Sequence, residues 1–173
     1  MNAPGLSALE RWVDETARLT IPDRIVWCDG SDEESGRLNA EMTRNGVLLP
    51  LNSERFPGSY LHRSDPTDVA RTEEVTFICT AERDDAGPTN NWMSVRDALA
   101  KIASVFPGVM KGQTMYVVPY VMGPVGSPYA RAGVQITDSP YVVANLRIMT
   151  RMGKPAREMI ARTGEFVRGV HAL

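Results

Sequence analysis

Few side chains in this sequence have the type and spacing that chemistry demands, and one arginine stands out among them. Arg71 lies in the segment Asp65-Pro-Thr-Asp-Val-Ala-Arg-Thr-Glu-Glu74. A guanidinium can clamp a carboxylate through two parallel hydrogen bonds, and a helix-terminated loop entering a strand is a rigid place to hold one. From spacing alone, a plainer fate is the commoner one. Asp68, Glu73 and Glu74 are close enough in sequence to give Arg71 a surface ion pair worth only about 0–1 kcal/mol.

Other chemistries find less support. A metal site needs several nitrogen, sulfur or oxygen ligands converging on one point; the soft candidates are His62, His171, Cys28 and Cys79, with none paired at a ligand spacing. Both histidines read as solvated or packing imidazoles. The cysteines sit inside apolar runs, Ile25-Val-Trp-Cys28 and Phe77-Ile-Cys79, which suits buried thiols better than a disulfide framework. No nucleophile elbow and no Cys/His setting supports hydrolysis. Two glycine-rich stretches tempt a phosphate-binding assignment. Gly108-Val-Met-Lys-Gly-Gln-Thr114 precedes a strand, so it reads as a helix-to-strand turn rather than a Walker loop. Gly123-Pro-Val-Gly-Ser-Pro128 also lacks a following helix and reads as a rigid surface loop, with close approach to a ligand the lesser alternative.

These residues must be positioned by a scaffold of modest size. At 173 residues the chain fits one domain, 1–173, and a domain of this length buries roughly 70% of the surface its unfolded chain exposes. It is 43% hydrophobic and 23% charged, as soluble globular proteins are. No apolar run approaches the ~20 residues that cross a bilayer, and the start Met1-Asn-Ala-Pro-Gly-Leu-Ser7 has neither the basic nor the apolar part of a secretory signal. The expectation is a cytoplasmic protein with no membrane partner. A net charge of −2 and a pI near 5.7 provide no basic field for nucleic acid.

Helical spacing of Leu6, Leu9, Trp12 and Val13 predicts a helix over residues 6–18, with Ser7 to Glu10 as a capping box and Ile21-Pro22 as its end. Residues 24–28 read as a short buried strand. Ser31-Asp-Glu-Glu34 is a second capping box opening a helix that Asn45-Gly46 closes. An apolar run resumes at 47–51, and residues 52–71 read mostly as loop, with Asp65-Pro66 starting a helical turn that presents Arg71. A strand over 75–80, a loop over 86–91 and a helix from Ser94 to about Val105 follow. Residues 115–120 read as a strand ended by Pro119 and by the turn-rich Gly123-Pro-Val-Gly-Ser-Pro128, and 134–137 as another. Ser139-Pro140 opens a helix of about three turns with Gly153 just past its end. A last helix over 155–162 leads to a final apolar strand near 166–171, whose abrupt stop suggests that its continuation is missing. Helices alternating with strands give the fold class: α/β, a mixed β-sheet with flanking helices.

Across roughly residues 29–153 the sequence resembles the N-terminal domain of GTP-dependent phosphoenolpyruvate carboxykinase. Four blocks carry the resemblance in the family's order: Ser64-Asp-Pro-Thr-Asp-Val-Ala-Arg71, Gly87-Pro-Thr-Asn-Asn-Trp92, the run from Gly112 through Pro128, and the run from Thr137 through Gly153. The resemblance implies the α/β domain type of that family and the reaction of oxaloacetate with GTP to phosphoenolpyruvate, GDP and carbon dioxide, a gluconeogenic step. It places Arg71 at the arginine that grips the substrate carboxylate of oxaloacetate or phosphoenolpyruvate.

The same resemblance sets what this chain would lack. The family's phosphate-binding loop, its reactive cysteine, and its manganese-binding lysine, histidine and aspartate lie downstream of residue 173. No cofactor is therefore expected on this chain alone, while Mn2+ and GTP are implied for the full-length enzyme together with a C-terminal catalytic domain as partner. The tail Gly164 to Leu173 departs from the family, where a serine and then a glycine typically follow the histidine. The alternative is a catalytically silent module that binds a dicarboxylate or a protein.

Overall fold

A computed structural model describes residues 4–63 and 73–173. In chain order the elements are α1 (Pro4–Thr20), β1 (Arg24–Trp27), α2 (Asp32–Arg44), β2 (Leu49–Pro50), β3 (Tyr60–Leu61), α3 (Val95–Val105), β4 (Thr114–Met122), β5 (Arg131–Thr137), α4 (Pro140–Met149), β6 (Arg151–Met152), α5 (Lys154–Thr163) and β7 (Val167–His171). Short 3-10 turns occupy Glu73–Val75 and Arg83–Ala86. The chain divides into two compact units, residues 1–62 with 108–173, and residues 63–107.

The larger unit is built on a mixed sheet in the order β1-β4-β5-β7. β1 runs parallel to β4, β4 antiparallel to β5, and β5 parallel to β7, while the short β6 pairs antiparallel with the far end of β4. Alternation along β4 sorts its side chains into two cores. Met115 and Val117 face one side and join Leu9 and Val13 of α1, Ile160 of α5, and Val134 and Ile136 of β5. Tyr116 and Val118 face the other side with Leu38 and Met42 of α2 and Val143 of α4. Helices thus cover both faces of the sheet, as an α/β arrangement requires.

Local chemistry explains most element ends. Ser31 caps α2, its hydroxyl accepting from Glu34 N at 3.1 Å, and the Glu34 carboxylate reaches back to the amides of Gly30 (2.9 Å) and Asp29 (3.2 Å). Ser139 accepts from Val142 N and Pro140 occupies the first turn of α4. Gly164 closes α5 in the left-handed region. The box at Ser7 to Glu10 falls inside α1, which has already begun at Pro4, so it does not mark the start of the helix. The strand expected over 47–51 shrinks to β2, which forms a two-residue ribbon with β3. Pro119 does not end its strand, whereas the turn beginning at Gly123 does: β4 continues to Met122. β1 stops opposite Val117 and β6 ends at Met152 opposite Tyr120, so Pro119 sits between two strand ends where a missing N–H breaks no ladder.

In the smaller unit the strand expected over 75–80 does not form. Among the described residues its one strand pairing is the Ile78–Trp92 bridge, held by Ile78 N to Asn91 O at 2.8 Å and Met93 N to Ile78 O at 3.3 Å. Extended backbone without a neighbouring strand has no ladder to join. α3 begins at the Ser94 cap, whose hydroxyl accepts from Asp97 N at 3.1 Å. It carries Val95, Leu99, Ile102 and Val105 on an exposed face, and Lys101 lies 5.4 Å above the Phe77 ring.

Candidate functional site

Arg71, the residue singled out by the sequence, lies outside the described residues, as do Asp68 and the proposed helix start at Asp65-Pro66. The other three blocks are described: the Gly87 to Trp92 block is a loop of the smaller unit, and the other two supply β4 and α4, whose Tyr116, Val118 and Val143 share one core of the larger unit.

The Gly87 to Trp92 block is a tight loop in the smaller unit. Gly87 takes a φ of 80°, which only glycine adopts without strain. Asn90 Nδ2 donates to Ala86 O at 2.7 Å, and the Trp92 indole donates to the Thr80 carbonyl and hydroxyl at 3.2 and 3.0 Å. The loop therefore keeps its shape through its own side chains. It borders a 380 Å³ concavity with Arg83 and Asp84.

In the larger unit, α4 and the β2–β3 ribbon flank a groove of 670 Å³. The His62 ring stacks on Tyr141 at 4.0 Å and its Nδ1 is hydrogen-bonded to the Val47 carbonyl at 2.9 Å. Asn39, Asn145 and Arg147 also line it. Arg147 is already committed, to the Asp32 carboxylate and to Gly30 O at 3.2 Å. A second concavity of 630 Å³ lies beside the 123–128 loop and brings in Arg131 and Arg162.

Each remaining sequence candidate has a structural occupation. His62 is a packing imidazole, as expected. His171 pairs with the Thr137 hydroxyl through Nδ1 at 2.9 Å, and that hydroxyl also accepts from Ser139 N at 3.1 Å, so the imidazole fastens β7 to the start of α4. Cys28 is buried; desolvation first, then the neighbouring Glu34 carboxylate, pushes its thiol far above the ordinary range and makes it a poor nucleophile. Cys79 is exposed, which corrects the expectation of two buried thiols. It stands on the segment that fails to become a strand. Both thiols are free.

Among the described residues, no three His, Cys, Asp or Glu side chains come together to hold a metal ion. Neither glycine-rich stretch feeds a helix: residues 108–113 lead into β4 and residues 123–128 into β5. Among the described residues, no donor set fits manganese and no glycine-rich turn opens a helix as a triphosphate cradle would.

A family model for the phosphoenolpyruvate carboxykinase N-terminal domain matches residues 11–173. The chain belongs to that family. The match is broader than the 29–153 carried by the four motifs, for it takes in most of α1 and the whole of α5 and β7. Among curated relatives, a protein named phosphoenolpyruvate carboxykinase [GTP] from Anaeromyxobacter dehalogenans (strain 2CP-C) is 52% identical across 94% of this chain and 27% of its own length. Relatives of the same name from Corynebacterium kroppenstedtii, 47% identical across 100% of this chain, and from Chlamydia caviae, 45% identical across 95%, are covered over 30% and 28% of their lengths. This carboxykinase domain thus spans less than a third of the curated relatives it matches.

The sequence left the second concavity unassigned. Arg131 and Arg162 are 31 positions apart with no motif joining them, and only the packing of α5 against β5 makes them neighbours of one space. The stack of His62 on Tyr141, across 79 positions, was equally invisible.

Proposed function

We propose that this chain is the N-terminal, substrate-binding part of a GTP-dependent phosphoenolpyruvate carboxykinase, the enzyme that converts oxaloacetate and GTP to phosphoenolpyruvate, GDP and carbon dioxide. The supporting observation is 52% identity sustained over 94% of the chain with a relative of that name. Arg71 is assigned the substrate carboxylate. Two parallel N–H donors would fix the acid's orientation before any bond breaks, and such positioning lowers a barrier by removing freedom in advance.

Manganese and GTP find no matching side chains among the described residues, so the parts of the reaction that need them are assigned to a C-terminal domain supplied as partner. A cytoplasmic setting goes with this assignment; no described helix is long and apolar enough to cross a membrane.

The test has two arms. Oxaloacetate decarboxylation dependent on GTP and manganese is measured with the chain alone and after adding a carboxykinase C-terminal domain; turnover only in the mixture is expected, and turnover by the chain alone would overturn the division of labour. Oxalate is titrated calorimetrically into wild type and Arg71→Ala. Loss of the charge-assisted pair should weaken binding by about tenfold or more. Equal binding would remove Arg71 from the site.

A further inference from the structure

We propose that the concavity between the 123–128 loop and the end of α5 is a binding site for a small phosphate ester that does not depend on Arg71. Two guanidinium groups, Arg131 and Arg162, line this one space of 630 Å³, a volume within the range of about 300–1,000 Å³ that small-molecule sites occupy. Neither has a carboxylate partner among the described residues. Glu165 shares the lining, yet the ion pairs among the described residues are Arg96–Asp97, Arg147–Asp32 and Lys154–Glu158.

The first arginine is held in place before any ligand arrives. Arg131 Nη1 donates to the carbonyls of Pro128 and Ala130 at 3.0 and 2.9 Å, which fixes the guanidinium and leaves Nε and Nη2 to donate elsewhere. Pre-fixing a flexible cation removes part of the ordering cost of binding. The loop is equally set: Ser127 N donates to Pro124 O at 3.0 Å and Ala130 N to Ser127 O at 3.1 Å. Ser127 Oγ accepts from Tyr129 N at 3.2 Å, so its own proton is available to an incoming oxygen.

Charge and shape together select the ligand class. A phosphoryl group offers three oxygens and close to two negative charges, so it can take donors from two guanidiniums and a hydroxyl at once, which a single carboxylate does less well. Phe166 and Met159, both half-buried against the core, complete the lining with apolar surface. An ester carrying a hydrophobic group would cover it.

The experiment follows backbone amides of the full chain by heteronuclear NMR while inorganic phosphate, and separately phenyl phosphate, is added to wild type, Arg131→Gln, Arg162→Gln and Arg71→Ala. Saturable shifts centred on Gly126, Ser127, Thr163 and Gly164 are expected, tighter for phenyl phosphate than for phosphate. Either glutamine variant should weaken them by about tenfold, and Arg71→Ala should leave them unchanged. Both arginines are exposed, so a folded spectrum is expected of each variant, and Arg131→Lys with Arg162→Lys serves as a charge-retaining control. Absence of saturation at these amides, or saturation indifferent to both glutamine variants, would overturn the site. Equal affinity for the two probes would overturn its assignment to an ester. The proposed carboxylate clamp fails independently, in the oxalate titration.

Discussion

Gly153 has no room for a side chain because the Asp29 main chain stands against it: a Cβ built there would overlap the Asp29 carbonyl oxygen. Its φ of +76° also lies where L side chains are strained, and its amide donates to Pro119 O at 2.9 Å. Gly153→Ala should therefore destabilise the larger unit by about 1–3 kcal/mol or more. A lower urea midpoint with an unchanged m-value would register it. An unaltered midpoint would mean that the turn after β1 and the start of α5 are not so tightly opposed.

The two units should respond differently to loss of an aliphatic side chain. Ile160 is fully buried between α1 and the sheet, and Ile160→Ala should cost about 2–5 kcal/mol. Leu99 on α3 is 60% exposed, and Leu99→Ala should stay within about 0.5 kcal/mol. Equilibrium denaturation of both variants checks the contrast; similar losses would place α3 in a core.

Thiol chemistry should separate the two cysteines. One equivalent of a thiol reagent should react quickly with Cys79 in the folded chain, and Cys28 should follow only in denaturant. The folded Cys28 pKa lies above its ordinary value of 9.0, so its contribution to stability is complete below pH 9.0 and is lost as pH rises beyond it, where the unfolded thiol ionises first. Cys28→Ala should flatten part of that alkaline decline. The rest should persist through Tyr116, whose hydroxyl is also shifted upward by burial.

The start of α2 offers an acid-side counterpart. Hydrogen bonds from Ser31, its amide first, hold the Asp29 carboxyl below its ordinary 3.8. The stabilisation is present above pH 3.8 and disappears as pH falls through the lower folded value. Asp29→Asn should thus be less stable than wild type at neutral pH and indistinguishable from it in strong acid. Ser31→Ala removes the cap on Glu34 N and should cost about 1 kcal/mol. Matched urea titrations across pH would expose a wrong sign in either case.

Elements announced by their own residues were legible in the sequence. Ser31 with Glu34, Ser139 with Pro140, and Gly164 each act within a few residues of where they stand, so α2, α4 and α5 were found close to their observed ends. Errors arose where a distant neighbour decides. Val75 to Thr80 has the β-branched and aromatic residues of a strand but has no strand beside it among the described residues, and Pro119 is tolerated in β4 because β1 and β6 stop on either side of it. Arg71 was singled out through its motif, whereas Arg131 and Arg162 needed the α5–β5 contact to become neighbours.

Pro119 also sets what the sheet can become. Val117 O accepts from Cys28 N and Pro119 O from Gly153 N, so consecutive outward-facing groups of β4 serve chain segments from opposite ends of the sequence. The proline ring keeps a one-residue seam between them, because it offers no amide along which β1 could be prolonged. Restoring an N–H at that point would remove the chemical stop that makes β1 turn away after Trp27, and the crossing of the Asp29 and Gly153 turns would have to compete with a longer, plainer strand.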